Sequence, residues 1–105
     1  MANRERQVFV LLVEVGRKAG DGLPEGATGA GLLCLAAAVD EAEAVRETVA
    51  VLKQADLAPL DVTGYGTLSE AAEQGVDLGD DAMALADRAL AENAVLVIQS
   101  DVYRD

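Results

Sequence analysis

Gln7-Val8-Phe9-Val10-Leu11-Leu12-Val13-Glu14-Val15 decides the fold. The run is rich in β-branched residues and too short for a typical helix, so it reads as a strand. Side chains alternate across a strand, so Phe9, Leu11 and Val13 point to one face and Val8, Val10 and Leu12 to the other. Both faces are apolar, which marks a strand buried on two sides. Residues 32–39 form a second apolar run, read as the antiparallel partner of the first, and Ala94 to Ser100 (Ala-Val-Leu-Val-Ile-Gln-Ser) a last one.

Between the first two runs, residues 16–31 hold six of the ten glycines, together with Pro24. This composition predicts a long Gly-rich loop. After the second run, Asp40 and Glu43 have the spacing of a capping box, and Ala42, Val45, Val49, Leu52 and Ala55 recur at helical steps. The helix they predict ends near Leu57, because Pro59 forbids its continuation. Leu60 to Thr67 alternates and then carries Gly64 and Gly66 around Tyr65, as expected of a strand near a sheet edge. Thr67 and Glu70 cap a short turn closed by Gly75, and residues 76–79 read as linker. A second long helix is expected over Asp80 to Glu92, with Met83, Ala86 and Leu90 in one stripe and Ala82, Leu85 and Ala89 beside it. Residues 101–105 read as an exposed tail.

The chain of 105 residues suits a single α/β domain over 1–105. The expected order is β-β-α-β-α-β, and right-handed crossovers place both helices on the same side of the sheet. The expectation is an α+β, two-layer sandwich: a four-stranded, mainly antiparallel sheet with two helices on one face. In architecture it loosely resembles the ferredoxin-like group, although it begins with a hairpin where that group's usual order is strand-helix-strand-strand-helix-strand. No residue motif carries the resemblance, and no function follows from it. Two short helices cover one face of a sheet whose strands are apolar on both. The other face would then exceed the apolar patch usual for a monomer. The sequence therefore predicts a homodimer closed through the open sheet face, the alternative being the long loop folded over it.

Composition excludes more than it assigns. Nineteen acids against eight bases give a net charge of −11, against nucleic acid and against anionic membranes. Arg4/Arg6 and Arg17/Lys18 are the only local concentrations of positive charge. A basic protein or cationic ligand suits the charge, as does a simple solubility role. No apolar run approaches the roughly 20 residues of a membrane span. Arg4 and Arg6 before Val8–Val13 have the outline of a signal peptide, but Glu14 interrupts it, and a cytoplasmic protein is expected. The single Cys34, among leucines, reads as a small buried hydrophobe. Without histidine, the usual zinc and copper sites are unavailable within one chain, so no metal and no cofactor are expected.

Three groups of residues remain as candidates. In the Gly-rich loop, Arg17, Lys18, Gly26, Thr28 and Gly29 offer amides and positive charge to an anion, although the spacing matches neither the dinucleotide fingerprint nor the P-loop. Glu73, Asp77, Asp80 and Asp81 form an acidic patch without the alternation of a calcium loop, and a helix start accounts for the last two. Glu14 and Tyr65 are the catalytic candidates: a strand-end carboxyl expected to be partly buried, and a phenol expected at a cavity mouth, a pair that would suit proton transfer. No Ser-His-Asp, Cys-His or paired-carboxylate spacing accompanies them. The first reading is a small homodimeric binding or regulatory domain of unknown ligand. The alternatives are a cofactor-independent isomerase-type enzyme with a cavity between sheets, or a module binding another protein through its apolar sheet face.

Overall fold

Leu11, Val13 and Val10 are fully buried because the strand that carries them has a strand on either side and helices above and below. The computed structural model describes residues 5–104; Arg4 and Asp105 lie outside them. Strands β1 (Gln7–Gly16) and β2 (Ala27–Ala38) form the central hairpin, with β3 (Ala58–Thr67) beside β1 and β4 (Val95–Arg104) beside β2. The sheet order is β3-β1-β2-β4 and every neighbouring pair is antiparallel. Three helices join the strands: α1 (Glu41–Gln54), α2 (Leu68–Glu73) and α3 (Ala82–Glu92).

The helices lie on both faces, which corrects the expectation of two layers with one face open. Ala44 and Leu52 of α1 pack on the odd-numbered face of β1, over Phe9, Leu11, Val13 and Val15. Ala71 of α2 and Ala86 and Ala89 of α3 pack on the even face, over Val8 and Val10. The cause is topological. Strands β2 and β3 are each antiparallel to β1, hence parallel to one another, and α1 is the crossover that the handedness rule governs. Strands β3 and β4 sit at opposite edges and run antiparallel, so the rule sets no side for the α2–α3 connection. That connection takes the face still uncovered. The open face on which sheet-to-sheet dimerisation rested is therefore occupied by the chain's own α2 and α3.

Two further boundaries move. Strand β2 starts at Ala27, so the connection after β1 shrinks from 16–31 to residues 17–26, and β4 continues to Arg104, so 101–104 is not a tail. Each extension supports the other: Ala27, Gly29, Ala30 and Gly31 pair with Arg104, Tyr103, Val102 and Asp101. A Cβ on Gly31 would collide with the Tyr103 phenol, and one on Gly29 with the Val15 carbonyl. The glycines are thus strand residues chosen for close approach.

The caps follow the sequence. Asp40 accepts a 2.8 Å hydrogen bond from the Glu43 amide, and Thr67 and Glu70 form a reciprocal capping box on α2. Helix α1 ends at Gln54, and Pro59 lies in β3, an edge strand that tolerates it. The buried stripe of α1 is Ala44, Thr48 and Leu52, with Ala42 and Ala55 exposed. Helix α3 starts at Ala82 and buries Ala86 and Ala89, leaving Met83 and Leu90 toward solvent.

Candidate functional site

The loop after β1 holds an anion already, its own Asp21. The buried carboxylate accepts from the Lys18 and Leu23 amides, both at 2.9 Å, and from Arg17 Nε at 3.0 Å. The two amides, and then Arg17, hold its pKa below the usual carboxylate value. The Arg17 guanidinium also donates to the carbonyls of Pro24 (3.0 Å) and Ala27 (2.7 Å), so its hydrogen-bonding capacity serves the loop. Among the other loop candidates, Gly26 lies beside the Arg104 guanidinium, Thr28 is exposed, and Gly29 is enclosed in β2. None of them, nor Arg17 or Lys18, lines either of the concave surfaces described below. Asp21, the residue that organises the loop, carried no motif, because its partners are mainly backbone groups.

Glu14 and Tyr65 share a face of the sheet but not a site. Glu14 is exposed opposite Asp61, and Tyr65 lies past Gly64, packed against the cluster under α2 and α3. Four strand residues, about 13 Å, separate them. The glycines flanking Tyr65 have structural partners: Gly64 lies under the Glu41 carboxylate, which accepts from the Gly66 amide at 3.1 Å. The phenol that does approach Glu14 is that of Tyr103. It lies over Gly31, which pairs with Glu14 across the hairpin, and its pKa is raised by desolvation first, then by the charges of Glu14 and Asp101. A phenol so held stays protonated at neutral pH. Tyr103 falls in the stretch that reads from sequence as tail, and only its pairing in β4 brings it over Gly31.

In the acidic segment, Asp77 accepts from the Gly79 amide at 3.0 Å, while Glu73, Asp80 and Asp81 are exposed. Among the described residues, no group of three His, Cys, Asp or Glu side chains is placed to hold a metal ion. Cys34 is buried, with its thiol pushed up to about 12 by desolvation. Among the described residues, no helix is long and apolar enough to cross a membrane.

Two concave surfaces among the described residues stand out. One, of about 340 Å³, lies between α1 and the start of β4 and is lined by Arg6, Glu43, Glu47, Val51 and Val95 among others; Arg6 pairs with Glu43 at 3.2 Å. The other, of about 280 Å³, is a groove between α2 and α3 floored by Val8 and Ala86 and walled by Leu68, Met83 and Leu90. A third feature is an edge. Among the described residues, strand β4 pairs only with β2, and it exposes apolar side chains on both faces: Val97 (46%), opposite Cys34 on the α1 side, and Tyr103 (36%) on the other.

The fold is thus an antiparallel sheet between one helix and two. Residues 8–104 match the model of the domain of unknown function DUF8846, and the chain belongs to that family. Neither the curated proteins nor the solved structures provide a match.

Proposed function

We propose that the chain is a non-catalytic binding domain that works in the cytosol as a homodimer, joined along β4 rather than through a sheet face. The observation that carries this reading is the coincidence, at β4, of a free edge with exposed Val97 and Tyr103 on its two faces. An unpaired strand is a template for another strand, and proteins protect such edges with proline, lysine, glycine irregularities or short length. Both edge strands have two register shifts against their neighbours, and β3 exposes Leu60, but β3 also carries Pro59, Gly64 and Gly66. Strand β4 runs from Val95 to Arg104 without proline, lysine or glycine. Antiparallel pairing of two β4 strands about a two-fold axis makes an isologous, closed interface and one eight-stranded sheet. The non-catalytic reading is supported by the absence of histidine, by the inert Cys34 thiol and by the separation of Glu14 from Tyr65. The cytosolic placement rests on composition, with one unpaired cysteine.

The test is mass by size exclusion with light scattering over a wide dilution range. The expected result is a species of twice 10.9 kDa that dissociates in Val97→Lys, a substitution at an exposed position. A monomer at every concentration, or a dimer indifferent to Val97→Lys, would overturn the proposal.

A further inference from the structure

We infer that the groove between α2 and α3 is a docking site for a basic amphipathic helix of a partner protein. The inference rests on the reading of the chain as a binding domain and not on the β4 dimer. Met83 (70% exposed) and Leu90 (40%) stand at the rim of the groove, and Val8 and Ala86 form its buried floor. Met83, Ala86, Asp87 and Leu90 line it from one side of α3. Their spacing of three, four and seven residues covers two helical turns, about 10 Å. A wall of that length fits two turns of a partner helix offering apolar anchors at the same spacing. Leu68 and Ser69 of α2 form the facing wall.

The charge around the groove selects the sign of the partner. Residues 68–92 carry acids from Glu70 through Asp87 to Glu92 and one base, Arg88, which pairs with Glu92 at 2.9 Å. Asp87 itself lines the groove. An exposed apolar strip inside an acidic field attracts a helix with apolar residues on one side and Lys or Arg on the flanks, and repels its acidic counterpart. Met83 adds adaptability, since an unbranched thioether side chain repacks around anchors of different shape.

The test is fluorescence anisotropy with a labelled, end-capped amphipathic helical peptide having leucine at positions i, i+3, i+4 and i+7 and lysine on the flanking positions. A second peptide replaces each lysine by glutamate. The lysine peptide is expected to bind, with affinity falling as salt rises, and the glutamate peptide to bind at least about tenfold more weakly. The Met83→Ser/Leu90→Ser variant, altered only at exposed positions, is expected to lose about tenfold or more in affinity with its melting temperature little changed. The same loss is expected in the Val97→Lys background, which separates this site from the dimer. Three results would each overturn the inference: no binding of the lysine peptide, equal binding of the glutamate peptide, or binding unaffected by the double variant. Perturbation of the Met83 methyl resonance on concentrating the protein without peptide would also overturn it, by assigning the groove to a second copy.

Discussion

Leu52→Ala tests the three-layer packing at its most sensitive point. The residues of α1 buried on the sheet are Ala44, Thr48 and Leu52, and only Leu52 (2% exposed) among them is large. It packs in the cluster formed by Val13, Val15, Ala30, Leu32 and Cys34, at the Val13–Val15 end of the odd-numbered face. Truncation removes its apolar contacts and leaves a cavity beneath a helix whose other contacts are small, so the expected loss is about 3 kcal/mol. Against a total of roughly 5–15 kcal/mol for a domain of this kind, that is a large share. It corresponds to a fall of about 10 °C or more in melting temperature. Thermal or urea unfolding followed by circular dichroism, at one fixed protein concentration, reads it. Val51→Ala, next to it but exposed, is the control and should cost under about 0.5 kcal/mol. Equal, small effects of the two substitutions would mean that α1 does not seat its Leu52 side on the sheet.

Three other outcomes are expected. The lowered pKa of Asp21 makes its charged form the one favoured by folding, so its contribution is complete above the unfolded value of about 3.9 and is lost as pH falls through the folded value; melts between pH 2 and 6 should be less pH-dependent in Asp21→Asn. Gly31→Ala puts a Cβ against the Tyr103 phenol and should destabilise the protein, whereas in a Tyr103→Ala background the same change should have a smaller effect, a coupling measurable by a double-mutant cycle. With its thiol at about 12, Cys34 should react with a thiol reagent at pH 8 only at the rate of unfolding, and denaturant should make it react at once.

The parts of the fold written in local chemistry were legible. The β1 run, the Asp40–Glu43 cap and the Thr67–Glu70 box depend on side chains a few residues apart, and each appears where the spacing puts it. What was not legible depends on partners far along the chain. Ala27 to Gly31 have weak strand propensity on their own and become strand because Asp101 to Arg104 pair with them; read separately, one stretch looks like loop and the other like tail. The side on which α2 and α3 pack depended on β3 and β4 being antiparallel at opposite edges, which no local pattern states. The phase of α1 slipped because its apolar residues surround more than one stripe, and burial went to the small Ala44 and Thr48 side chains that allow close approach. The candidate surfaces were half visible. Met83 and Leu90 were read as helix stripe, and only the position of α2 shows that they border a groove.

Joining of two copies along β4 is read most directly by residue-resolved amide hydrogen exchange at protein concentrations above and below dissociation. Outward-facing amides of β4 are expected to be protected at high concentration and released on dilution and in Val97→Lys, while those of β3 exchange alike throughout. Protection at β4 that does not change with concentration, or protection that builds up at β3 instead, would contradict it.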